Sequence, residues 1–185
     1  MEHMLIFASI IVGVAVTDQM ISLNKLLRAR RRVKWDWAVP VVALLALLTV
    51  LQIWWSIAQP SEGPITIGQF LPTLVELILL FLLCSATLPD EVPADGLSLR
   101  TFYHEQGSYI WALYASALAW AFATGQIDRA AAGKWSVAEL IDNVPDLVIL
   151  ALMISLIFVR RRWWHALAML AFAAGPIGWL SRSLA

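Results

Sequence analysis

Charge is scarce in this sequence, and so is cysteine. Only 14% of the 185 residues are charged, while 61% are hydrophobic. A soluble domain carries about a quarter charged residues, so a water-covered globular surface is excluded for most of the chain. The one cysteine, Cys84, excludes an internal disulfide. It lies inside an apolar run and reads as a small packing residue. Formal net charge is zero, which gives no electrostatic case for a nucleic-acid partner. There is no GxSxG, no Gly-rich phosphate loop and no CxxC. His104-Glu105 opens like a zinc-protease helix, but position 108 is Ser, so the second histidine is missing. With His3 near the terminus, no nucleophile–base pair is found. We expect no catalytic residue, no metal and no cofactor.

What is present is a series of apolar runs, several of them near the roughly 20 residues that cross about 30 Å of hydrocarbon. Six spans are predicted, over about 5–27, 37–58, 65–88, 108–124, 136–159 and 163–180. An interfacial helical turn from Leu97 precedes the fourth. The fold class expected is an all-α, six-transmembrane-helix bundle, a polytopic membrane protein of one domain over 1–185. MEHMLIFASIIVGVAVTDQ has no basic leader and no small-residue cleavage site, so it reads as a retained first helix.

Orientation follows from where the cations fall. The connection after span one holds Lys25, Arg28, Arg30, Arg31, Arg32 and Lys34. Arg100 follows span three, and Arg160, Arg161 and Arg162 follow span five. That puts ten of the 13 Lys and Arg on one side. Short loops rich in Lys and Arg stay cytoplasmic, so both termini are expected outside (N-out, C-out) in the cell's inner (plasma) membrane. Trp35, Trp37, Trp163 and Trp164 then lie at the inner interface, and Trp54, Trp55, Trp135 and Trp179 near the outer one, as aromatic anchors do. Arg28, Arg30, Arg31, Arg32, Arg160, Arg161 and Arg162 are topology determinants and candidate contacts to anionic lipid headgroups.

Punctuation inside the spans is specific. Ser136 to Glu139 reads as a capping box opening span five. Pro145 would fall inside that helix and kink it, as would Pro72 and Pro176 in theirs. Ala112, Ser116, Ala119 and Ala123 make a small-residue stripe, and so do Ala171 with Gly175 and Ala174 with Gly178. Such stripes let helices approach closely in lipid. A chain this small has little room for a private pore, so a homo-oligomer is expected.

The functional signal is a set of carboxylates inside the spans. Spans one, three and five place Thr17-Asp18, Val75-Glu76 and Pro145-Asp146 in similar frames, which suggests three related helical hairpins. Counted from the inner ends, the three carboxylates stand at depths that agree within about 6 Å. A charged group near the bilayer centre costs at least about 2.5–3.5 kcal/mol on insertion scales, so it faces a bundle interior or a water-filled path. Asp18, Ser22 and Lys25 share one helical face; Gln69, Thr73 and Glu76 share another; Gln52 stands in a polar stripe of span two. Burial and a like-charged neighbour both favour the protonated acid, so such a group can exchange a proton for a cation.

The expected function is therefore a channel or transporter for a small cation or proton. Its path would be lined by Asp18, Glu76, Asp146, Asn24, Gln52, Gln69 and Thr73. Against it stands a structural role, with Asp18 paired to Lys25 and Glu76 to Gln52 or Asn24. A second reading is a non-enzymatic sensor or scaffold subunit that binds a partner or anionic lipid. A third is a small membrane enzyme or haem protein using His104, Glu105 and His165. Phe7-Ala8-Ser9-Ile10 departs from the Phe-Ser-Asp start of small six-span cation channels, and six spans depart from the five of tryptophan-rich sensory proteins, so neither family lends a site.

Overall fold

A computed structural model describes residues 2–58, 67–133 and 143–180. Six helices are described: α1 (Glu2–Arg28), α2 (Ala38–Ala58), α3 (Ile67–Thr87), α4 (Leu99–Ala131), α5 (Val144–Phe158) and α6 (Arg162–Leu180). Among the described residues, four helices, α1 to α4, are long and apolar enough to cross a membrane; α5 is a shorter apolar helix. The stops follow local chemistry. α3 ends just before Leu88-Pro89, where the residue before a proline leaves the helical region. Ser98 caps α4 by accepting from the Thr101 backbone N–H at 3.3 Å, the usual role of an N-terminal hydroxyl.

Two expectations about these elements need correction. α4 is one continuous 33-residue helix, not a short span with a separate turn before it. Arg100, His104, Glu105 and Gln106 are polar, but polarity does not break a helix, and no proline lies between Leu97 and Ala131. At 1.5 Å per residue α4 is about 50 Å long. Pro145 does not kink a helix interior either. α5 begins at Val144, so Pro145 occupies its first turn, where the missing N–H has no partner to lose. The proposed capping box from Ser136 to Glu139 lies outside the described residues. Pro72 is inside α3 as expected.

α2 touches α1, α3, α4 and α6, while α1 packs mainly on α3, α3 on α4, and α4 on α5. The α3–α4 hairpin packs closely on itself, whereas α1–α2 and α5–α6 touch less than α1–α3 and α4–α5 do. One apolar cluster joins all six helices, with Trp111, Leu77, Leu80, Leu83, Ile110 and Val42 among its buried members. A second, smaller cluster of Leu26, Val33, Val39, Ala43, Leu88 and Leu99 closes one end.

That end collects three connections. β1 (Val33–Lys34), between α1 and α2, pairs in parallel with β2 (Leu97–Ser98), between α3 and α4. Leu97 N–H donates to Arg32 O at 3.0 Å. The α5–α6 connection joins them through an ion pair of Arg162 with Asp36. The α3–α4 loop also folds back on α1, where Lys25 Nζ donates to Asp90 O at 2.9 Å. All ten cations assigned above to one side are carried by these connections or the helix ends beside them.

Gly96 makes this junction possible. Its φ is +102°, and a Cβ there would sit 2.8 Å from Arg32 O. Both the backbone conformation and the contact exclude a side chain. Gly96→Ala should therefore cost about 1–3 kcal/mol, read as a lower midpoint in a denaturant or thermal melt in detergent. Gly133→Ala, also at positive φ but with open space around it, should cost less.

Candidate functional site

Two polar regions stand out, and they differ in whether their hydrogen bonds close. The first crosses α4, α5 and α6. The Trp111 Nε1–H donates to Tyr103 Oη at 2.8 Å. Tyr103 Oη meets His165 Nδ1 at 2.7 Å, and His165 Nε2 meets Val159 O at 2.7 Å. An indole N–H only donates and a carbonyl only accepts. The directions therefore close with Tyr103 O–H donating to Nδ1 and His165 carrying its proton on Nε2. Trp111 is fully buried and His165 nearly so, and every polar atom in this series is matched.

Both ring nitrogens of His165 are engaged within the chain, Nε2 as a donor and Nδ1 as an acceptor. His104 lines the same cavity as His165, with Nε2 3.5 Å from Arg160 Nη1. No group of three or more metal-ligating side chains occurs among the described residues.

The second region lies between α1, α2 and α3, and it does not close. Gln19 is 1% exposed. Its Nε2 donates to Ala43 O at 2.8 Å and to Thr87 Oγ1 at 3.1 Å. Its Oε1 is buried without a donor, and so is Oδ2 of the neighbouring Asp18. Two acceptor oxygens, adjacent along α1, thus face a low-dielectric interior unmatched. Buried Ser22 continues the line, 3.5 Å from Asp90 Oδ1. The Asp18–Lys25 pair of the competing structural reading does not form; Lys25 Nζ donates to the Asp90 carbonyl instead. Among the described residues the one ion pair is Arg162 with Asp36.

The carboxylates are not level. Gln19 meets Thr87 in the last turn of α3, and eleven residues separate Thr87 from Glu76. That is about 16 Å of helix, so Asp18 lies nearer the basic end by on the order of 15 Å, not within 6 Å. Equal spacing from a sequence landmark misled, because α1 runs further past the junction than α3 does. Glu76, Gln52 and Thr73 are partly buried, whereas Asp146, Asn24 and Gln69 are exposed on the single chain. Asp146 sits in the first turn of α5.

The basic end also holds a cavity of about 450 Å³. Asp36, Arg100, Thr101, His104, Arg160 and Arg162 form its polar side, and Trp37, Ala38, Gly107 and Leu156 its apolar wall. Arg28, Arg30, Arg31, Arg32 and Arg161 stand exposed outside it. Asp36, Arg100 and Tyr103 were not expected to matter; the one available sign was a Tyr-His-Glu run in an otherwise apolar helix. Two tryptophans expected as interfacial anchors also tie helices together. Trp54 donates to Ser9 Oγ at 3.0 Å, Trp164 to Ser155 Oγ at 2.8 Å. Trp35, Trp37 and Trp163 remain exposed; Trp135 and the side chain of Trp179 lie outside the described residues. The small-residue stripe of α4 is not the seam used within the chain, since Ser116 and Ala123 are exposed while Ala115 and Ala117 are buried.

The fold thus defines an all-α bundle with four helices able to span a membrane. No family model matches the chain, and comparisons with curated proteins and with solved structures found no match.

Tyr103→Phe tests the closed network. It keeps the ring but strands the buried Trp111 N–H and His165 Nδ1, so it should destabilise the fold by about 1–3 kcal/mol. A melt in detergent unchanged from that of the wild type would contradict a Tyr103 hydroxyl that both accepts from Trp111 and donates to His165.

Proposed function

We propose that this is an integral membrane channel or transporter for a small cation or proton. It crosses the inner membrane six times, with α5 and α6 completing the set and the basic end in the cytoplasm. The observation that supports the reading is the unmatched Asp18 Oδ2. An ionised carboxylate with a buried oxygen lacking a donor is costly in a bilayer. A cation brought to that oxygen supplies the missing partner, so the site has a chemical reason to bind one. Gln19 Oε1 offers a second acceptor beside it, and Ser22, Lys25 and Asp90 lead toward the basic end. Glu76, with Thr73 and Gln52 on neighbouring turns and helices, is the next station toward the other face. Asn24, Gln69 and Asp146 are exposed on one chain; they line the path where copies of a homo-oligomer meet.

A non-enzymatic sensor or scaffold subunit is the second reading. It is favoured by the exposed cations Arg28, Arg30, Arg31, Arg32 and Arg161 around the basic rim, each worth about 1 kcal/mol against an anionic leaflet.

Flux in proteoliposomes separates the two. With a pH dye and a cation dye read in parallel, the wild type should conduct and Asp18→Asn should lose most of the flux while staying folded. Glu76→Gln should lose a large part, and Asp146→Asn the least. No flux of any cation or proton at either membrane polarity would remove the transport reading.

A further inference from the structure

The cavity at the basic end has more positive charge than its own carboxylate can match. Three guanidiniums line it, from Arg100, Arg160 and Arg162, against one acid, Asp36. Asp36 is already taken by Arg162. Arg160 has only a contact of 3.5 Å to His104 Nε2, and the Arg100 guanidinium has no hydrogen-bond or ion-pair partner among the described residues. Two guanidiniums thus line one open cavity with no carboxylate left to neutralise them. Thr101 adds a hydroxyl donor on the same side. Across from these groups Trp37, Ala38 and Leu156 give an apolar wall. The volume, about 450 Å³, falls in the range of about 300–1,000 Å³ typical of small-molecule sites.

We propose that this cavity is a discrete binding site for a phosphate group, held by Arg100 and Arg160, with the apolar wall receiving the carbon part of its carrier. Guanidinium forks match phosphate oxygens two at a time, and a phosphate monoester brings the two negative charges that the two free guanidiniums call for. The site is distinct from the more open cleft along Arg28 to Arg32, which has no carboxylate, hydroxyl or aromatic side chain in its lining. It does not depend on the transport reading.

Thermal melts of the protein in a neutral detergent at fixed ionic strength test this. The probes are dihexanoyl phosphatidic acid, inorganic phosphate, and dihexanoyl phosphatidylcholine as the zwitterionic control. Phosphatidic acid should raise the melting temperature saturably, and phosphatidylcholine should not. Arg100→Gln and Arg160→Gln should each weaken the apparent Kd by about tenfold, with Arg→Lys at the same positions recovering part of it. Arg31→Gln, on the rim, should leave it unchanged. Both cavity arginines are exposed at the surface, and the unliganded melting temperature checks that each variant is folded. A shift with phosphatidic acid alone identifies a lipid headgroup as the source, and an equal shift with inorganic phosphate identifies a free anion. No saturable shift with either probe would overturn the proposal, and so would equal weakening by Arg31→Gln.

Discussion

The connections between α1 and α2, between α3 and α4, and between α5 and α6 meet at one end of the bundle, and that junction sets how the helices stand against each other. β1 pairs with β2, Gly96 lies against the Arg32 carbonyl, and Asp36 holds Arg162. Once Val33 is opposite Leu97, α1 and α3 run side by side in one direction. Gln19 then falls level with Thr87, and Ser22 and Lys25 level with Asp90. The cavity is a product of the same junction, since its walls come from the loop before α2, the first turns of α4 and the start of α6.

Two buried polar systems grow from this frame, and their difference is informative. In the Trp111–Tyr103–His165–Val159 series each donor has an acceptor, so it locks α4 to the α5–α6 connection and leaves nothing for a ligand. Along α1 the matching fails. Gln19 spends its amide on α2 and α3, and two oxygens, one of them a carboxylate oxygen, stay without donors. Buried polar groups are normally satisfied, so an unsatisfied pair in an otherwise ordered core is where a cation has something to gain.

Much of the architecture was legible in the sequence. Hydrophobic runs located α1, α2, α3 and α6 to within about three residues, because a long apolar run without breakers has few other ways to satisfy its backbone; the ends of α4 and the start of α5 were missed by seven to nine. The clustering of cations marked which connections share an end. Three features were hidden, each for a physical reason. The limits of α4 were obscured because polar residues such as Arg100 and His104 are good enough helix formers to continue it. Pro145 resembled a kink because the true start of α5 depends on packing, not on the apolar run. The axial offset of Asp18 from Glu76 depends on the register between α1 and α3, and that is set by the β1–β2 pair, two residues on each side with no strong signal of their own. The cavity was hidden for a related reason, since Asp36, Arg100 and Arg160 lie far apart in the chain and meet only at the junction.

The central claim is that the three basic connections share one membrane face, in the cytoplasm. Cysteine labelling from each side of the membrane tests it most directly. Arg31→Cys, Asp95→Cys and Arg161→Cys would each be placed in a different connection, with Asp128→Cys at the far end of α4. Native Cys84 is fully buried and serves as a silent background. With a membrane-impermeant maleimide, the first three should be protected in intact cells and label once the cytoplasmic face is exposed, while Asp128→Cys should label from outside. If any of the first three labelled from outside with Asp128→Cys, the shared end would not be a membrane face, and a path leading from it through Asp18 would fall as well.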